Sequence, residues 1–215
     1  MTRPEGRRPD QLRAVDADPL FLEQPHGCVL WEQGMTIVLC TATVDDGVPR
    51  WMSGKGVGWM TAEYSLLPAS TGERTEREAA RGKQGGRTVE IQRLIGRAVR
   101  GVIDFEALGE RTVHLDCDVL QADGGTRCAA ISGAYVAARR ALERFGLAKV
   151  FRDSVAADVD LNVVMTGDGR LVEVQATAER DPFSRDQLDE LLELAALGIG
   201  QIGDEQLRAA EAVPG

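Results

Sequence analysis

From Thr112 to Leu120 the chain alternates: Val113, Leu115, Cys117 and Val119 fall on one side, His114, Asp116 and Asp118 on the other. A period of two predicts a half-buried strand. Two more strands are predicted at Gly27 to Glu32 and Met35 to Val44, turning through Gly34, and a third at Val57 to Tyr64 behind a glycine-rich loop from Ser53 to Gly58. Ile91, Leu94, Ile95, Ala98 and Val99 recur along one helical face, so a helix capped by Thr88 is expected to run to about Ile103, with that stripe in the core. A second helix from Ala129 to Phe145 stops at Gly146. Asp160 to Thr166 and Arg170 to Ala176 read as a hairpin around Gly167-Asp168-Gly169. Ser184 and Gln187 form a capping box before a last amphipathic helix carrying Leu188, Leu191, Leu192 and Ala195. The stretch to Pro19 is polar and extended, and a polar arm spans Pro68 to Gln84. This order predicts an α+β fold in a single domain over residues 1–215, with two related halves packed together.

Composition narrows the class. At 43% hydrophobic and 27% charged residues, the chain has the make-up of a globular protein. No run reaches the roughly 18 apolar residues that a membrane span needs, and the polar N-terminus has no signal-peptide core, so a cytoplasmic location off the membrane is expected. Cys28, Cys40, Cys117 and Cys128 lack metal-site spacing and sit in apolar segments, which predicts reduced core cysteines. The net charge of −9 excludes indiscriminate nucleic-acid binding over the whole surface. Locally the sign reverses. Ser70 to Arg100 holds eight basic and four acidic residues, a segment of +4 in a chain otherwise at −13. A focused anionic ligand and a solvated helix face of Glu–Arg pairs both account for that segment.

Candidate chemistry concentrates at Asp123-Gly124-Gly125-Thr126-Arg127. A strand ends at Gln121, a glycine turn follows, and Thr126 and Arg127 stand at the mouth of a small-residue helix. Bare amides, a hydroxyl and a guanidinium at a helix N-terminus suit a phosphate-sized anion. Gly85-Gly86-Arg87 makes a second such entrance. Neither fits a phosphate-binding P-loop or a dinucleotide fingerprint. His26 and His114 lack a nucleophile pattern and read as packing or surface residues. Carboxylates around the Asp160 strand, with Asp153 or Asp158 before it, could hold Mg²⁺, or could be ordinary turn and cap residues.

Longer motifs then carry a resemblance. Leu39-Cys40-Thr41-Ala42, Gly58-Trp59-Met60-Thr61-Ala62-Glu63-Tyr64 and Arg81 to Thr88 strongly resemble the ribonuclease PH family. So do Glu90 to Arg97, Asp116 to Arg127, Val159 to Thr166 and Pro182-Phe183-Ser184-Arg185. The resemblance spans nearly the whole chain. It implies two βαβα halves of the ribosomal protein S5 domain 2 type and a homohexameric ring, a trimer of dimers. It implies a phosphorolytic 3′→5′ exoribonuclease, a tRNA nucleotidyltransferase in which inorganic phosphate is co-substrate and nucleoside diphosphates are released from tRNA precursors and other RNA 3′ ends. DNA and membranes are not among the implied partners. Carried onto this sequence, Arg87, Gly125, Thr126 and Arg127 hold phosphate, Arg74 and Arg77 contact RNA, and Asp160 with a second carboxylate binds Mg²⁺. Arg87, Arg127 and Asp160 then form the catalytic set.

Two departures bear on that expectation. Ala69 stands where many family members carry another arginine. Between residues 146 and 158 about two dozen residues are missing, roughly a hairpin at ordinary strand lengths. The second half is therefore expected to be shortened, with Val150 and its neighbours supplying a short strand or none. Ungapped counting back from Asp160 reaches Ser154, while matching the Asp-Ser pair selects Asp153; a carboxylate is the better ligand for a hard cation, so Asp153 is preferred. The competing expectation is a catalytically silent RNA-binding or ring-forming subunit of the same fold whose metal site is lost.

Overall fold

The computed structural model of the chain describes residues 6–8, 11–151, 155–158, 161–176 and 184–212. Five strands build the main sheet: β1 (Val15–Asp18), β2 (Gly27–Gln33), β3 (Thr36–Asp46), β4 (Trp59–Leu66) and β5 (Arg111–Gln121), in the order β1-β2-β3-β5-β4. β3 and β5 pair antiparallel at its centre, with Cys40 opposite Cys117 and Thr41 opposite Asp116. β4 runs parallel to β5 along the edge. A parallel neighbour cannot be reached by a tight turn, so the chain crosses over through helical segments. These are α1 (Glu78–Arg81), α2 (Gly86–Arg100) and α3 (Phe105–Leu108).

The expected alternation holds residue by residue. Val113, Leu115, Cys117 and Val119 are buried, while His114, Asp116 and Asp118 are half-exposed on the other face. The predicted α2 stripe is buried in full. Thr88 is not the helix cap. α2 opens two residues earlier behind Gly85, and the Thr88 hydroxyl donates instead to the Glu78 carboxylate at 2.9 Å. β1 is an addition to the predicted elements. It pairs along β2, Val15 opposite Gln33, at the sheet's other edge.

α4 (Thr126–Arg144) is the central element, packed on β2, β3, β5 and α2. Burial on nearly all sides explains its run of Ala, Ser and Gly, since an all-round buried helix has no polar face to keep. Two glycines set the distance. A Cβ on Gly27 would lie 2.0 Å from the Ala137 carbonyl oxygen, and one on Gly133 would lie 2.6 Å from Cys40 Sγ. All four cysteines are buried free thiols, and burial pushes the Cys40 thiol well up from its ordinary value. His26 is a packing residue as expected: its Nδ1 accepts from the Val44 amide and its ring stands edge-on to Phe145.

Beyond α4, Val150 itself lies in no strand. Residues Ala148–Val150 form one 3₁₀ turn, and Phe151 makes an isolated bridge to Ile103. Three strands follow in an antiparallel sheet: β6 (Val155–Asp158), β7 (Leu161–Thr166) and β8 (Leu171–Ala176). The predicted hairpin is β7–β8, with Gly169 at φ +83 in its turn. α5 (Arg185–Glu211) starts at the predicted capping box and packs against α4, β6, β7 and β1. Arg97 of α2 grips Glu173 of β8 through two bonds of 2.7 Å, tying the halves together. Among the described residues no helix is long and apolar enough to cross a membrane.

Candidate active site at two converging helix starts

β5 delivers the chain to one end of the sheet, where Gly124 and Gly125 take φ of +78 and +69. Two successive left-handed residues reverse the strand into α4, a path that side-chain-bearing residues adopt only at a cost. Thr126 and Arg127, expected at the mouth of a helix that begins at Ala129, are the first two residues of α4, which opens three residues earlier. Arg87 is the second residue of α2. The two helix starts meet. Arg127 Nη donates to Glu90, one turn along α2, at 2.9 Å. The charges of Arg87 and Arg127 are both felt at the buried Tyr64 hydroxyl, each opposing the rise in its pKa. The Tyr64 Oη–H donates to Thr126 Oγ1 at 2.9 Å, which leaves the Thr126 proton free to point outward.

Electrostatically this end is built for an anion. Two helix N-termini supply unpaired amides and the positive ends of their dipoles. Arg87 is exposed and makes no ion pair with a described residue. Arg127 Nε is buried without a hydrogen-bond partner, although Nη is paired. Burial raises the Tyr64 pKa, opposed by the Thr126 bond and the two arginines, so Tyr64 stays a neutral hydroxyl.

The arm joins the site at its base. The Ala122 amide donates to the Ser70 carbonyl at 2.8 Å, and the Leu67 amide to the Val119 carbonyl at 3.0 Å. Arg74 and Arg77 lie on the arm, exposed and unpaired with any described residue. The Glu–Arg pairing account holds within the segment for Arg81 with Glu76; Arg97 pairs outside it, with Glu173 of β8. It does not hold for Arg74, Arg77 or Arg87. Asp153, Ser154 and Asp160 lie outside the described residues, as does the side chain of Asp158. Among the described residues no three His, Cys, Asp or Glu side chains are grouped to hold a metal. Sequence reasoning did not reach Glu90 as the Arg127 partner or Tyr64 as the Thr126 donor. Both lie inside quoted motifs, and only the fold brings β4 and α2 against α4.

Family models match over most of the chain: the 3′ exoribonuclease family, domain 1, at residues 11–141, and domain 2 at residues 153–197. The chain belongs to the 3′ exoribonuclease family. Ribonuclease PH of Syntrophomonas wolfei subsp. wolfei is 50% identical over 229 residues, covering 94% of this chain and 96% of the relative. That aligned stretch is longer than the 215 residues here, so the relative holds residues with no counterpart in this enzyme. The activity that goes with this membership is phosphate-dependent exoribonucleolysis from RNA 3′ ends. The fold is shared more widely. A chain of the Archaeoglobus fulgidus exosome with RNA bound to the active site superposes with TM-score 0.77 at 20% identity, covering 94% of this chain and 92% of that one. Rice Rrp46 gives 0.73 at 15% identity, covering 97% and 100%.

Proposed function

We propose that the enzyme trims the 3′ ends of tRNA precursors, with inorganic phosphate seated between Arg87 and the Gly125-Thr126-Arg127 turn. The observation that carries the phosphate seat is the convergence of two helix starts on one point, with an orphaned Arg127 Nε at it. A phosphate oxygen attacks the phosphorus of the terminal phosphodiester and its new P–O bond replaces the bond to the penultimate 3′ oxygen. That oxygen leaves as a hydroxyl, taking the proton from the attacking phosphate, and a nucleoside 5′-diphosphate departs. The protein needs no nucleophile of its own. It places two anionic groups in line and neutralises them, which is work for arginines, amides and the Thr126 hydroxyl. Arg74 and Arg77 on the arm hold the RNA strand as it enters.

Asp153 and Asp160 are the carboxylates that would hold Mg²⁺, since carboxylate oxygens are the donors this ion prefers; the chemistry they would bring to the site is charge neutralisation at the scissile phosphate. A homohexameric ring in the cytoplasm is part of the same reading, supported by the family membership and measured by mass in solution.

The test is a 3′-extended tRNA incubated with and without phosphate. Shortening that requires phosphate and yields diphosphates supports the reading; monophosphate products or phosphate-independent shortening overturn it. A short unstructured RNA trimmed as fast as the tRNA would remove the tRNA assignment alone. RNA binding with no diphosphate at any Mg²⁺ concentration would instead mark a silent subunit.

A further inference from the structure

The phosphate turn is held from behind by two residues far away in sequence. Thr36, at the start of β3, is 1% exposed, and its hydroxyl is used twice. Oγ1 donates to the Gly124 carbonyl at 2.6 Å and accepts from the Asp123 amide at 2.9 Å. Arg13, just before β1, donates from Nη1 to the Asp123 carbonyl at 2.6 Å and to the Gly124 carbonyl at 3.4 Å, and stands 3.5 Å from the Asp123 carboxylate. The turn between β2 and β3 is shaped for it. A Cβ on Gly34 would lie 3.0 Å from Arg13 Cδ.

We propose that Arg13 and Thr36 are positioning residues for phosphorolysis, a clamp that aims the backbone amides of Gly124 and Gly125 at the attacking phosphate. The physical step is peptide planarity. In a trans peptide the carbonyl and the following N–H point in opposite directions within one rigid plane. Fixing the Asp123 carbonyl fixes the Gly124 N–H, and fixing the Gly124 carbonyl fixes the Gly125 N–H. Both carbonyls are drawn toward the clamp, so both amides face away from it. Neither amide meets an acceptor among the described residues. Two glycines with left-handed φ have the widest conformational choice in the chain, so an amide array built on them needs outside restraint to stay aimed. Arg13 and Thr36 supply that restraint without touching substrate.

This inference rests on reading the turn as the phosphate seat, and the experiment separates the two. Initial rates are measured against phosphate at saturating RNA, and against RNA at saturating phosphate. The proteins are wild type, Thr36→Val, Thr36→Ser, Arg13→Met and Arg127→Ala, each checked for a cooperative thermal transition. Thr36→Val keeps the volume and loses the hydroxyl, and is expected to raise the phosphate KM about tenfold with the RNA KM unchanged. Thr36→Ser, which keeps the hydroxyl, restores most of the loss. Arg13→Met keeps the stem and loses the donors; it shifts the phosphate KM in the same direction and decides the matter if Thr36→Val does not fold. A phosphate KM within twofold of wild type in a folded Thr36→Val or Arg13→Met, while Arg127→Ala raises it, overturns the clamp. An unchanged phosphate KM in Arg127→Ala overturns the phosphate seat itself.

Discussion

Arg127 reaches across from α4 to α2 and donates to Glu90 at 2.9 Å, so the guanidinium at the proposed phosphate seat is held by a carboxylate of the facing helix. Both side chains are about a third exposed, and a pair that open to solvent adds little stability. Its consequence is for the ligand. Glu90 fixes the direction of Arg127 and also competes with an incoming anion. Glu90→Gln keeps an oxygen acceptor and removes the charge. The phosphate KM is expected to fall a few-fold in Glu90→Gln. In Arg127→Ala, kcat/KM is expected to drop by a factor of about 100 or more, the scale of losing a donor aimed at developing charge. Steady-state rates against phosphate check both, and a higher phosphate KM in Glu90→Gln would show that orientation outweighs competition.

The hydroxyl of Tyr64 is 2% exposed with its ring and points at Thr126 Oγ1. Tyr64→Phe keeps the ring in the core and leaves Thr126 without that donor. Stability is expected to fall by about 1 kcal/mol, the ordinary net worth of one buried hydrogen bond. The phosphate KM rises a few-fold, because the Thr126 hydroxyl is then free to turn its proton elsewhere. Denaturant midpoints and phosphate titration separate the two effects. A loss of stability with an unchanged phosphate KM would confine Tyr64 to packing.

Much of this layout was legible in the chain because it rests on local periodicity. The alternation in β5, the stripe of α2, the β7–β8 hairpin and the Ser184 capping box each follow from residues close in sequence. The helix starts were legible too, since glycine-plus-arginine entrances are local. What could not be read was anything set by pairing across the fold. The four-residue Val-Asp-Ala-Asp of β1 is too short for a period, and becomes a strand only because β2 offers its edge. Thr88 looked like a cap because its type is right, but Glu78 captures its hydroxyl from α1. Thr36 and Arg13 gave no signal, being 88 and 111 positions from the Gly124 carbonyl that they hold.

The open face of the main sheet carries a pH signature. Burial raises the Asp116 pKa first, with Glu63 and Asp118 adding to the rise and His114 opposing it. A carboxyl whose folded pKa exceeds its unfolded one binds its proton more tightly in the native state. Stability therefore falls as pH climbs through the interval between the two values, and stays lower above it. Asp116→Asn removes that loss, so its urea midpoint exceeds wild type at neutral pH and the gap closes toward acid. Because Asp116 is only half-buried, solvent screening holds the gain below about 1 kcal/mol. A gap that is the same at acid and neutral pH would assign the effect to packing instead of charge.

Two glycines to alanine make opposite predictions from one geometric rule. A Cβ on Gly27 meets the Ala137 carbonyl oxygen at 2.0 Å and the Ala141 amide nitrogen at 2.6 Å. Both are backbone atoms of α4, and α4 is wedged between the main sheet and α5, so neither side can yield without opening the core. Gly27→Ala is expected to cost about 3 kcal/mol or more, the upper end of what overpacking does. Gly200 sits on the exposed side of α5 with nothing within 4 Å of an added Cβ. There the methyl meets no obstacle, and the unfolded chain loses freedom that the helix never had. Gly200→Ala is expected to gain about 0.5–1 kcal/mol. Urea denaturation of the two variants side by side checks the pair: an unchanged midpoint in Gly27→Ala would show that α4 can shift away from β2, and a lowered one in Gly200→Ala would show that the added methyl is obstructed.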